Sequence, residues 1–217
     1  MIYLLRHGAV EGQEERRFVG QVDLPLGENG LRQARWWQME LAGILFDRIY
    51  CSDLTRSRDT ARIIAGTRKI PVEIMPQLRE IHLGEWEGIS VAEVGRRFPE
   101  EYERRGQDLS DYRPPGGESF SDLRKRIVPV FERIVSEMKG HILAVGHAGV
   151  NRIILCHVLG MPLANLFRLG QDYGSLNIIS CKEGSLRLQS INILPLRSQN
   201  PGARSQEPAG GQVHSGF

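Results

Sequence analysis

Apolar runs that stop abruptly at charged or imidazole side chains recur along this chain. Residues 1–5, Met-Ile-Tyr-Leu-Leu, are apolar and β-prone, and the pattern breaks at Arg6-His7-Gly8. That reads as a buried strand delivering polar residues to its carboxyl end, where α/β sheets place their chemistry. After a polar loop over residues 9–28, Leu31, Ala34, Trp37, Leu41, Ile44 and Leu45 fall at helical spacing and predict an amphipathic helix ending before Asp47. Residues 48–51 predict a second strand. Ser52 and Asp53, both good N-cap residues, then open a helix carrying Leu54, Ala61, Ile64 and Ala65.

Between residues 70 and 117 the periodicity weakens to a short strand at 72–74, a loop holding Glu80, and one or two helices within 90–105. Pro114-Pro115-Gly116-Gly117 punctuates strongly, and Ser119-x-x-Asp122 has the form of a capping box opening a helix with Leu123, Ile127, Val130, Ile134 and Met138 on one face. Pro129 inside that stretch predicts a kink or a later start. Residues 141–146 are the most strand-like run in the chain and deliver His147 into a helix over 149–159, which repeats the geometry at His7. Strands over 175–181 and 186–193 are separated by Lys182-Glu183-Gly184-Ser185, a hairpin turn.

Composition adds limits. At 217 residues, with 41% apolar and 25% charged side chains, the chain matches an average soluble globular protein, which sets aside wholesale disorder, collagen-like repeats and a fibrous coiled coil. We expect one domain over residues 1–196 and a flexible tail over 197–217, where Pro, Gly, Ser, Gln and Arg predominate. A net charge of +2 is too small for a nucleic-acid or membrane-surface footprint, whereas small anionic ligands need only local positive charge. Cys51, Cys156 and Cys181 show no C-x-x-C spacing, which fits a reducing cytosol. Apolar runs fall short of the roughly 18 residues of a membrane span, so a soluble, cytoplasmic protein is expected.

The polar residues at the strand ends are the types that phosphoryl transfer demands: a nucleophile, fixed cations and a proton donor. A neutral imidazole such as His7 can attack phosphorus and leave again, and Arg6 beside it offers a planar donor fork suited to phosphate. Alone, Arg-His-Gly is a weak signal that an ordinary strand-to-loop transition explains. Arg56 lies in the first turn of its helix, where a cation opposes the macrodipole by roughly 0.3–1 kcal/mol. A bound anion would reverse that penalty, and a contact with Asp53, Asp59 or water would explain it too. His147 either faces the carboxyl edge of the sheet, where a phosphate would favour its protonated form, or caps its own helix. Glu80 is the candidate acid, since repulsion by a phosphate keeps a facing carboxyl group protonated.

Seven blocks occur in the order and approximate spacing of the histidine phosphatase superfamily, in its phosphoglycerate-mutase-like branch. They are Leu5-Arg6-His7-Gly8, Phe18-Val19-Gly20-Gln21-x-Asp23-x-Pro25-Leu26, Gly30-x-x-Gln33-Ala34, Ser52-Asp53-Leu54-x-Arg56-x-x-x-Thr60-Ala61, Leu78-Arg79-Glu80-Ile81-x-x-Gly84-x-Trp86-Glu87-Gly88, Pro115-Gly116-Gly117-Glu118-Ser119 and Val145-Gly146-His147. The chain resembles that family over residues 2 to about 190. The resemblance implies a three-layer α/β/α sandwich with a mostly parallel central sheet, and a phosphohistidine intermediate formed without metal or other cofactor. By position it makes His7 the nucleophile, Arg6, Arg56 and His147 the phosphate clamp, and Glu80 the acid and then the base. It adds Gln13, Val19, Gly20 and Ala148 as substrate-binding positions, with the backbone amides of the 18–20 segment approaching the substrate.

Departures bear on the substrate. Many similar proteins read Arg-His-Gly-Glu-Thr or -Glu-Ser followed by Asn; here Ala9, Val10 and Gln13 stand there. The chain lacks the insertion of the similar mutases, and its Arg96-Arg97 and Arg104-Arg105 pairs do not align with their carboxylate-gripping arginines. Hydrolysis of a small phosphorylated metabolite is therefore expected over phosphoglycerate-mutase-type transfer or an idle phosphate-binding module. The Gly84-x-Trp86-Glu87-Gly88 and Pro-Gly-Gly-Glu-Ser blocks look most like α-ribazole phosphatases and broad-specificity phosphomonoesterases. A homodimer is common among such proteins.

Overall fold

A strand covered on both faces needs apolar side chains at odd and even positions alike, and the runs at residues 2–5 and 142–145 supply them. Ile2, Leu4, Ile142 and Ala144 pack into one buried cluster with Trp86, Leu123, Ile127 and Ile153. Leu5, Leu143, Val145 and Ile49 pack into another with Trp37, Ala61 and Ile64. The computed structural model describes residues 1–12 and 15–195. Its elements run β1 (Ile2–Arg6), α1 (Glu28–Glu40), β2 (Phe46–Cys51), α2 (Thr55–Ala65), β3 (Val72–Ile74), α3 (Val91–Arg97), α4 (Pro99–Gln107), α5 (Phe120–Glu137), β4 (His141–Gly146), α6 (Ala148–Leu159), β5 (Leu176–Lys182) and β6 (Ser185–Ile193).

Among the described residues one six-stranded sheet has the order β3-β2-β4-β1-β5-β6. The first four strands are parallel, and β5 and β6 are antiparallel additions. Helices α1 and α2 cover one face and α5 and α6 the other, giving the expected three layers. The β5–β6 hairpin turns through Glu183 and Gly184, both at positive φ, as a two-residue loop between right-twisted strands requires. No helix among the described residues is long and apolar enough to cross a membrane.

Two local expectations need correction, and a third is met. Helix α1 stops at Glu40 rather than reaching Leu45: after the ordinary bond from the Leu41 amide to the Trp37 carbonyl, a tighter one from the Ala42 amide to the Met39 carbonyl closes it just before Gly43, and Leu45 is 85% exposed. Neither Ser52 nor Asp53 caps α2. The carboxylate of distant Asp23 accepts from the Thr55 amide (2.7 Å) and hydroxyl (2.8 Å), while Asp53 grips Arg79 in a bidentate pair (2.7 and 2.6 Å). Helix α5 starts at Phe120 despite Pro129, because the Ser119–Asp122 capping box satisfies its first amides. The anticipated tail lies outside the described residues.

Candidate active site

Strand register builds the site. β1 and β4 pair in parallel with Arg6 opposite Gly146, so the next residues, His7 and His147, leave neighbouring strands side by side. The His7 amide donates to the Gly146 carbonyl (3.0 Å), and the two rings lie 5.0 Å apart between centroids, inclined at 60°. Both imidazoles are buried, His7 at 4% exposure and His147 at 0%. Behind His7 the backbones of two segments touch: a Cβ at Gly8 would meet the Gly30 carbonyl oxygen at 2.5 Å. The Gly8 amide donates to Thr60 Oγ1 (3.2 Å) and the Ala9 amide to Gln33 Oε1 (2.9 Å), which fixes the turn that aims the imidazole.

Each ring has one nitrogen committed. His7 Nδ1 lies 2.8 Å from the Gly8 carbonyl, which can only accept, so Nδ1 carries the hydrogen and Nε2 the lone pair. His147 Nε2 shares a 2.7 Å hydrogen bond with Ser52 Oγ, and its Nδ1 is buried without a partner among the described residues. His147 is the N-cap residue of α6 by its backbone geometry, but its side chain does not cap the helix. Burial, reinforced by the positive Arg56 and Arg6, holds His7 well below its ordinary value of 6.5. Burial holds His147 down likewise, with His7, Arg56 and Arg6 adding to it. Both rings are neutral at pH 7.

Around them sit two desolvated guanidinium groups. Arg6 donates from Nη1 to the Gln171 carbonyl (2.6 Å) and stacks on Tyr173, its Cζ 3.6 Å from the ring centroid. Arg56, 1% exposed, does not reach Asp53, Asp59 or water; it donates to the carbonyls of Val22 (2.6 Å) and Gly20 (2.7 Å). Burial lowers the pKa of both, partly offset at Arg6 by Tyr173 and Glu80 and at Arg56 by Glu80 and Asp23. Among the described residues neither makes an ion pair with a carboxylate. A buried charge without a counter-charge is costly, and a bound anion removes that cost.

Glu80 completes the group. Its carboxylate accepts from the Ile81 amide (2.9 Å) and from the Gly149 amide (3.0 Å) in the first turn of α6, next to Ala148 and His147. Gly149 has no room for more: a Cβ there would lie 2.5 Å from Glu80 Oε1. The structure thus brings Arg6, His7, Arg56, Glu80 and His147 to one edge of the sheet. Gly20 holds Arg56 through its carbonyl at positive φ, where a Cβ would strike Glu87, and Val19 adjoins it. The amide of Phe18 is not free for a substrate, since it donates to the Ile89 carbonyl (2.9 Å). Gln13 lies outside the described residues.

Sequence reasoning overlooked two contributors. Tyr173, 5.5 Å from His7 between ring centroids, belongs to the turn before β5; because β5 runs antiparallel to β1, that turn lands at the carboxyl edge of β1. Ser52 was visible as a polar residue after an apolar strand, in the same position relative to β2 as His7 to β1.

The family model of the histidine phosphatase superfamily (branch 1) matches residues 2–194. The chain is 31% identical over 196 residues to an adenosylcobalamin/α-ribazole phosphatase of Salmonella typhimurium, covering 88% of this chain and 95% of that protein. The α-ribazole phosphatase structure from Shigella flexneri superposes with a TM-score of 0.83 at 27% identity, covering 88% of this chain and 96% of that one. A mycobacterial glucosyl-3-phosphoglycerate phosphatase, solved with VO3, gives 0.79 at 28% identity, covering 88% and 98%.

Proposed function

Since the chain belongs to the histidine phosphatase superfamily (branch 1), and is a phosphatase, we propose that it hydrolyses small phosphomonoesters through a phosphohistidine on His7. The observation that carries this reading is that two guanidinium groups, the half-buried Arg6 and the buried Arg56, lie without carboxylate partners beside an imidazole whose free nitrogen is Nε2. A phosphoryl group between them gains two fixed cations and meets the Nε2 lone pair.

In the first step the Nε2 lone pair forms the N–P bond as the P–O bond to the leaving group breaks, and Glu80, acting as the acid, gives a proton to the departing oxygen. In the second, Glu80 as carboxylate takes a proton from water as its oxygen attacks phosphorus, the N–P bond breaks and inorganic phosphate leaves. Arg6 and Arg56 balance the equatorial oxygens in both steps. Next to the dianion His147 gains a proton and becomes a third cation, with Ser52 holding its Nε2. No metal or other cofactor takes part in this scheme.

α-Ribazole 5′-phosphate is the substrate we favour, supported by the likeness to the Salmonella and Shigella proteins that carry that name. A cytoplasmic setting fits the free thiols of Cys51, Cys156 and Cys181. The test is phosphate release in the presence of a chelator from a panel containing α-ribazole 5′-phosphate, phosphoserine, phosphoglycerates and p-nitrophenyl phosphate. Turnover with an acid-labile phosphoenzyme, both lost in His7→Ala, is the expected result; undiminished turnover in that variant overturns the nucleophile assignment.

A further inference from the structure

The Pro-Gly-Gly-Glu-Ser block has no part in the chemistry above, yet it is built against the segment that carries Glu80. Residues 115–118 and 82–85 pair through two backbone bonds, Glu118 amide to His82 carbonyl (2.7 Å) and Glu85 amide to Pro115 carbonyl (3.0 Å). Glycines make the approach possible: a Cβ at Gly117 would lie 2.8 Å from the His82 carbonyl oxygen, and one at Gly84 would strike the Pro115 carbonyl. Glu118 is thereby set immediately before the capping box of α5, two helical turns from Arg126.

Arg126 then uses every donor it has. Nε and Nη2 grip both oxygens of Glu118 (2.9 and 2.8 Å), Nη1 donates to the carbonyls of Gln77 (2.6 Å) and Arg79 (2.9 Å), and Nη2 donates to the carbonyl of Glu80 itself (3.2 Å). Those five bonds exhaust a guanidinium. Glu118 also accepts from the His82 amide (2.9 Å), so the pair holds the backbone on both sides of Glu80. Gln21 Nε2 adds a further bond to the Glu80 carbonyl (3.0 Å). A surface ion pair serving only to fasten α5 would not need three carbonyls of one four-residue stretch.

We propose that Glu118 and Arg126 are positioning residues for the general acid: they lock the 77–82 backbone so that the Glu80 carboxyl stays at the start of α6 beside His147. The inference rests on Glu80 acting as the proton donor. A displaced acid slows the departure of a basic alkoxide far more than that of a nitrophenolate, which leaves without a proton, whereas a general loss of folding slows both alike. Arg126→Lys keeps the charge but cannot reach three carbonyls and a carboxylate in one plane. Glu118→Gln keeps the size and one carbonyl oxygen, and serves if Arg126→Lys fails to fold.

The experiment compares kcat/KM on an alkyl phosphate and on p-nitrophenyl phosphate for the wild type, Glu80→Gln, Arg126→Lys and Glu118→Gln, with thermal unfolding to establish that each is folded. Glu80→Gln sets the scale, with an expected loss of about 10²- to 10⁴-fold on the alkyl ester and much less on the aryl ester. Arg126→Lys and Glu118→Gln should show the same selectivity at about a tenth of that size or more. Equal losses on both esters, or none, in folded Arg126→Lys or Glu118→Gln while Glu80→Gln remains selective, overturn the positioning role and leave the acid assignment standing. An unselective Glu80→Gln overturns the acid assignment and the positioning role with it.

Discussion

The two buried imidazoles make the stability of the fold depend on pH in a calculable way. Burial together with Arg56 and Arg6 keeps His7 neutral in the folded chain, and burial with His7 and the same arginines keeps His147 neutral. Once unfolded, each ring titrates at its ordinary value near 6.5. Below that pH the unfolded chain binds protons that the folded chain refuses, so stability falls as pH falls. Between pH 7.5 and 5.5 each ring contributes a loss on the order of 1 kcal/mol, and the pair about twice that. Against a typical total of about 5–15 kcal/mol that is readily measured by urea unfolding. The perturbation is His147→Asn, with wild type and variant each unfolded at both pH values. The carboxylates are common to the two proteins, so the difference of differences reports on the ring removed, and the variant should lose less than the wild type by an amount on the order of 1 kcal/mol. Identical losses would mean that His147 is not held neutral, and the electrostatic account of the site would fall with it.

Three further substitutions probe the backbone and hydrogen bonds behind the site. Gly8→Ala drives a Cβ to 2.5 Å from the carbonyl oxygen and 2.8 Å from the Cα of Gly30, backbone that cannot swing aside; a loss of about 1–3 kcal/mol is expected by urea unfolding, and an unchanged midpoint would contradict the close approach. Ser52→Ala leaves Nε2 of His147 buried without its 2.7 Å partner and should cost about 1–3 kcal/mol together with turnover, whereas a variant as stable and active as the wild type would show that the bond is dispensable. Gly149→Ala improves helix propensity by up to about 1 kcal/mol, yet its Cβ displaces Glu80 Oε1. Thermal stability should hold while turnover of an alkyl phosphate falls about 100-fold, and full activity would show that the carboxyl group is not needed where it lies.

How much of this was legible in the sequence follows from range. His7 and His147 stood out because each ends an apolar run covered on both faces, a local signal. Arg56 stood out through its awkward place in the first turn of α2, but its partners, the carbonyls of Gly20 and Val22, lie in an aperiodic loop more than 30 residues away. The cap of α2 was misassigned for the same reason: capping rules search neighbouring residues, and Asp23 arrives from a different segment. Tyr173 was hidden because alternation along a strand does not encode its direction, and only the antiparallel entry of β5 brings that ring under Arg6. The block around Glu118 was conspicuous as a motif and silent about its purpose, since the backbone that Glu118 and Arg126 hold is 36 to 49 residues distant from them.

The ladder between β1 and β4 serves as a ruler. A slip of one residue would separate the imidazoles by about 3.3 Å and also turn Leu4 and Leu5 toward the wrong helices, so the core resists any change in that spacing. Whatever distinguishes one substrate from another must therefore be built above this fixed edge, in segments free to vary without disturbing how the two central strands are joined.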